Sequence, residues 1–237
     1  MMQEFLIIWG QLLLIALVMP FVGSALISAV TKRTNQVLVN RLGNRAQYYF
    51  SFCGIIIHEL SHAAMALIFR HKIDQISLVQ KGDENQKLGY VSHAWNPKSF
   101  YQRLGNFFIG MGPIFGIGLA MWGVTYFCWP QLIEAIQYRS LAGLWFDITW
   151  WKFGIGLVLT IQFCLALNLS DADWQNVRSG VVSYAGLISV IAIPVFFMVR
   201  GTNELWNVFG RYGLYFFVIM FSLSLVIDIM FNFIFKD

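Results

Sequence analysis

The chain has 237 residues, of which 58% are hydrophobic and only 12% charged, with a mean hydropathy of +0.63. That composition excludes an ordinary soluble globular domain and points to a polytopic membrane protein. The formal net charge of +4 comes from the polar intervals between apolar runs, so it reads as membrane topology and contact with anionic headgroups, with no nucleic-acid partner.

Six apolar runs are long enough to be spans, over 5–30, 48–69, 104–127, 151–169, 181–199 and 212–235. The first is too long for the apolar core of a removable leader and no basic segment precedes it, so it is expected to be a span. Pro20 and Gly23 predict a kink within it. Residues 31–45, polar and basic, are expected to form a loop at the membrane surface. Cys53, Cys128 and Cys164 have no clustered spacing and read as packing residues.

The second run contains His58-Glu59-Leu60-Ser61-His62. On a helix the i,i+4 spacing puts both imidazoles on one face, and Glu59 lies beside them in position to act as a general base toward water. Burying a charge at this depth costs roughly 2.5–3.5 kcal/mol on insertion scales. A bound cation is the evident compensation for three such side chains in one turn.

Residues 70–103 form the longest polar interval. Alternation over 73–79, turn chemistry over 81–85 and a second apolar stretch over 88–91 predict a hairpin within 73–91. The third run is glycine-rich around Gly112-Pro113, which predicts close helix packing or a broken backbone. Residues 131–147 read as an amphipathic interfacial segment. The fourth run leads into a polar cluster over 168–176, and the last two runs carry few ionisable groups apart from Asp228. The fold class expected is therefore an all-α polytopic membrane protein, one integral domain over 1–237 with about six transmembrane helices and a short β-hairpin after the second.

A catalytic zinc site usually takes three protein ligands. The third must be a carboxylate from elsewhere in the chain. Asp74, Asp83, Glu84, Glu134 and Asp147 lie in hairpin or surface segments, whereas Asp171, Asp173 and Asp228 are in or next to a span that could pack on the motif helix.

The HELSH helix, the hairpin after it, the span bearing Gly-Met-Gly-Pro and the later segment with Asn168 and Asp173 together resemble the core of the site-2-protease family of intramembrane zinc metalloproteases. The resemblance covers 48–176. It implies one Zn2+ held by His58, His62 and Asp173, with Glu59 as general base and Asp171 as the alternative third ligand. It also implies that Asn168, Gly112 and Pro113 belong to the substrate-binding core, together with the hairpin edge at Gly89, Tyr90 and Val91, which would pair with an extended substrate.

This sequence departs from the family pattern at Gly116, where an asparagine is usual. It also lacks a proline after Asn168, has Trp174 after Asp173, and has a shorter Asn168 to Asp173 spacing. The expected activity is hydrolysis of a peptide bond in or near a transmembrane segment of a protein or peptide substrate. The alternatives are a proteolytically inactive relative with a binding or regulatory role and, less favoured, a zinc carrier. Lys and Arg divide evenly between the two faces of a six-span arrangement. The six in the hairpin interval, Arg70, Lys72, Lys81, Lys87, Lys98 and Arg103, favour a cytoplasmic hairpin and cytoplasmic termini in the cell membrane.

Overall fold

A computed structural model of the chain describes residues 1–80, 88–199 and 203–236. Helix α1 (Met2–Leu13) passes through a π-helical turn at Leu14–Val18 into α2 (Met19–Leu42), making one rod of 41 residues. The irregularity expected from Pro20 thus takes the form of a widened turn just before it, where the proline lacks an N–H and its ring crowds the carbonyl one turn back.

The loop expected over 31–45 is instead helical as far as Leu42. Thr31, Thr34 and Asn35 are buried against the rest of the protein, while Lys32, Arg33, Gln36, Asn40 and Arg41 stay exposed. Thr31 Oγ1 donates to the Cys164 carbonyl (3.3 Å), Thr34 Oγ1 to Asp228 Oδ1 (2.9 Å) and Asn35 Nδ2 to the Leu165 carbonyl (3.0 Å). Inside a bilayer such side chains bind helices together, so polarity here marks an interface and not a loop.

Gly43 (φ 83°) reverses the chain directly into α3 (Asn44–Ile68), which carries the histidine motif. A kink at Ser51 divides α3. Arg70 in the left-handed region ends it, with His71 N donating to the Ala66 carbonyl (2.8 Å). Strands β1 (Lys72–Ser77) and β2 (Tyr90–Ala94) follow as an antiparallel pair with Ile73 opposite His93 and Ile76 opposite Val91. The second strand begins after Gly89, later than expected, and the predicted turn at 81–85 lies outside the described residues.

Helix α4 (Phe100–Cys128) starts at an N-cap in which the Gln102 amide donates to Ser99 Oγ. It is the hub of the structure, packed against α3, α6 (Trp150–Leu165) and α7 (Asp171–Met198), with Phe107, Ile109, Met111, Ile114 and Ile117 buried. Between α4 and α6, the interfacial segment expected over 131–147 is helical only in α5 (Pro130–Tyr138). A second π-helical turn at Trp206–Gly210 leads into α8 (Arg211–Ile234), which packs on α2.

Among the described residues, five helical segments are long and apolar enough to cross a membrane, and α6, at 16 residues, is shorter than these. The expected fourth span stops at Leu165 because the backbone unwinds beyond it. The carbonyls freed there are taken by side chains: Leu165 accepts from Asn35, and Ala166 from His58 Nδ1 (2.8 Å). Non-helical backbone at this depth persists where the protein itself satisfies it. Of the polar cluster over 168–176, expected at the edge of a span, Ser170 caps α7 and Asp171 to Asn176 form its first turns.

Candidate metal centre

Three elements bring the ionisable groups together. α3 presents His58 and His62 one turn apart, with ring centroids 4.9 Å from each other. α7 brings Asp173 from the far side of α4. This approach depends on bare backbone at Gly110, where a Cβ would lie 2.4 Å from the Asp173 carbonyl oxygen, and at Gly180, where one would lie 2.3 Å from Phe107 N. Asp173 Oδ1 stands 3.0 Å from His62 Nε2, and Oδ2 stands 3.8 Å from His58 Nε2.

Each ligand atom is aimed by a second contact. His58 Nδ1 donates to the Ala166 carbonyl (2.8 Å) and His62 Nδ1 to the Ile109 carbonyl (2.7 Å). With their Nδ1 protons so committed, both neutral rings turn bare Nε2 lone pairs toward the centre. The carboxylate is oriented by a capping box at the start of α7. The Ser170 amide donates to Asp173 Oδ2 (2.7 Å) while Ser170 Oγ accepts from the Asp173 amide (3.2 Å), which leaves Oδ1 directed at His62.

Two nitrogen lone pairs and a carboxylate oxygen therefore converge, all three residues over 90% buried. Lone pairs repel at this separation unless a second ring proton or a cation stands between them. These are the only three such side chains among the described residues whose ligand atoms cluster closely enough to hold one ion, all within 4.8 Å of one another. Two imidazoles and one carboxylate match the donor set of an open zinc site.

Glu59, also buried, borders a cavity of about 350 Å³ lined by His58, His62, Asp173, Gly89 to Val91, His93 and Asn176, among others. A second cavity of about 210 Å³ touches Glu59 from the other side, lined by Ser51, Asn168 and Ser170 among others. Between the two, the hairpin backbone lies directly on Glu59: a Cβ at Gly89 would sit 2.7 Å from its Cγ.

The other residues singled out from the sequence are distributed as follows. Asp171 is exposed and lines the larger cavity outside the cluster of ligand atoms. Asp228 belongs to the α2–α8 seam with Thr34 and, at 3.7 Å, Arg33. Asp74 faces Lys72 (3.8 Å). Asn168 accepts from Ser28 Oγ (3.2 Å) and reaches the smaller cavity. Gly112 and Pro113 are buried in helix packing, Gly112 against Ser61 and Met65, and line neither cavity.

No family model, curated protein or solved structure matches the chain. The site therefore has to be read from its own geometry. Sequence reasoning gave no role in the site to His93 or Asn176. The alternation that puts Val91 and His93 on one face of β2, and the Asn176 position one turn after Asp173, are the signals that could have found them.

Gly116 has a packing reason to be glycine. A Cβ there would lie 1.9 Å from Ser61 Oγ, the fourth residue of the histidine motif, whose hydroxyl donates to the Ile57 carbonyl (2.6 Å). Gly116→Asn is expected to destabilise the protein by about 1–3 kcal/mol through overpacking. Thermal unfolding in detergent would register this as a lowered midpoint, partly restored by adding Ser61→Gly.

Burial lowers the pKa of His71, and it pushes His93 down to about 4 with help from His71 and His62 and against Asp74. Between pH 6.5 and about 4 the released hairpin binds more protons at His93 than the docked one. Docking is therefore at full strength above pH 6.5 and weakens as pH falls toward 4. Protection factors of the β2 amides, corrected for the intrinsic slowing of exchange in acid, should fall over that window, and His93→Gln should flatten the dependence.

Proposed function

We propose that this protein is an integral membrane zinc endopeptidase that cuts a peptide bond in or near a transmembrane segment of a protein or peptide substrate. The observation that carries the reading is the convergence of His58 Nε2, His62 Nε2 and the Asp173 carboxylate, with Glu59 beside them on the same cavity. In this reading α6 is a sixth, shortened crossing. The hairpin and both termini lie on the cytoplasmic side of the cell membrane, and 48–176 forms the catalytic core.

The residues divide the work. His58, His62 and Asp173 would hold one zinc ion, which when bound supplies a Lewis acid that polarises the scissile carbonyl and makes water more acidic. Glu59 takes a proton from the attacking water as the new C–O bond forms, and returns a proton to the departing amine as the C–N bond breaks. A helical substrate carbonyl is already hydrogen-bonded, so the substrate must unwind first. The unpaired edge of β2 offers backbone partners to an extended segment by β-augmentation. The Gly89 backbone, resting on Glu59, keeps that segment close to the base.

The inactive alternative draws on Gly116 and on the altered segment around Asp173; of these, Gly116 packs against Ser61 of the motif helix and lines neither cavity. For the carrier alternative, among the described residues no second group of three ligands continues from the first.

The test is to reconstitute the purified protein in vesicles with a doubly tagged, single-span substrate whose apolar segment carries a glycine-rich break. One zinc per chain, lost in His58→Ala, together with zinc-dependent cleavage is the expected result. Zinc binding with transmembrane zinc flux and no cleavage would establish a carrier instead.

A further inference from the structure

A chain of hydrogen bonds leads from the root of the hairpin into the larger cavity. His71 is buried, and its Nε2 lies 2.8 Å from the Gln102 carbonyl, which can only accept, so His71 carries its proton on Nε2. Its Nδ1 is then an acceptor, and it sits 3.1 Å from His93 Nδ1, which must donate. His93 is left with its proton on Nδ1 and a bare Nε2. Burial lowers the pKa of both rings, and the Gln102 carbonyl, which cannot donate, fixes the direction of the chain. Trp95 stacks on His71 with a centroid separation of 6.3 Å and closes the outer side of the pair.

The bare Nε2 faces the cavity that contains Glu59 and the three ligand residues. Its nearest donor is Asn176 Nδ2 at 3.4 Å, beyond the 2.7–3.2 Å of a well-formed N–H bond. A half-buried acceptor with so weak a partner is available to a better one. His93 is not among the clustered ligand atoms, so its task is separate from holding the ion. Its fixed proton position also excludes it as a donor to a developing oxyanion. What remains is the acceptance of a hydrogen bond from something bound in the cavity.

We propose that His93 is a substrate-positioning residue whose Nε2 accepts a backbone N–H of the extended substrate, and that His71 and the Gln102 carbonyl fix the tautomer that makes this possible. The proposal rests on the endopeptidase reading and deepens it by naming the substrate feature recognised, a peptide N–H near the scissile bond. Asn176, one turn beyond Asp173 on α7, gives up its long contact when the peptide arrives.

The experiment uses full-length Glu59→Gln protein loaded with zinc in detergent and a fluorescent apolar peptide containing a glycine-rich break. A matched series replaces one backbone amide at a time by an ester, which removes the N–H. His93→Ala is expected to weaken binding of the all-amide peptide by about three- to tenfold, the worth of one ordinary hydrogen bond, with zinc content unchanged. The loss should vanish for one ester position, and His93→Gln, which restores an acceptor, should recover most of the affinity. A merely structural role would weaken every peptide of the series alike, and that result overturns the proposal.

Nitrogen NMR of ring-labelled histidine, assigned with the His71 and His93 variants, provides a readout free of peptide. His93 protonated on Nδ1 agrees with the proposal, and His93 protonated on Nε2 overturns it. If the parent binds and cleaves while His93→Ala binds every peptide equally well, only this proposal fails. If the zinc-loaded parent binds no peptide at all, the endopeptidase reading falls with it.

Discussion

Glu59→Gln is expected to retain zinc at the parent level and to lose about 10²- to 10⁴-fold in cleavage rate, the usual contribution of a positioned acid or base. The substitution is close to isosteric, so the space beneath Gly89 stays filled and the hairpin keeps its seat. His58 and His62 keep their carbonyl partners at Ala166 and Ile109, because neither contact involves Glu59. The variant removes only the ability to take a proton. Zinc analysis beside a cleavage assay on the tagged single-span substrate separates the two effects. Full cleavage with zinc retained would remove Glu59 from the mechanism and return the choice of base to the remaining cavity residues.

The sequence made the two histidines and Glu59 visible because one helical turn encodes their geometry: spacing within α3 is enough to place two rings on one face. It also indicated a helical membrane chain and a hairpin, since long apolar runs and period-two alternation are local signals. What it did not show depends on contacts between distant segments. Thr31, Thr34 and Asn35 have the composition of a surface loop, yet they are helical because their side chains bind the unwound end of α6 and Asp228 on α8. The end of α6 at Leu165 is hidden for the same reason, since its carbonyls find partners far away in sequence. Gly116 read as a missing polar group in the site, and only the packing of Ser61 against it shows that no side chain fits there. His93 and His71 lie 22 residues apart, and no periodicity links them.

Asp173→Ala is expected to abolish stoichiometric zinc binding, whereas Asp171→Ala should leave it intact. The two carboxylates belong to the same first turn of α7 and both border the cavity, so proximity in sequence does not separate them. The capping box does. Asp173 occupies the third helical position, where one oxygen is held by the Ser170 amide and the other is directed to His62 Nε2 at 3.0 Å, while Asp171 points to solvent at the helix start. The loss in Asp173→Ala has two sources: a ligand is gone, and the Ser170 amide loses its reciprocal bond in the capping box, worth about 0.5–1.5 kcal/mol. Asp173→Asn distinguishes them, since its side-chain oxygen can still accept from the Ser170 amide while the charge that balances the cation is removed. Near-parental thermal stability with much weakened zinc affinity in Asp173→Asn would assign the effect to ligation. Equal zinc retention in the Asp171 and Asp173 variants would mean that the ion, if bound, is held by some other set of atoms, and the carboxylate brought in by α7 would then be a helix cap alone.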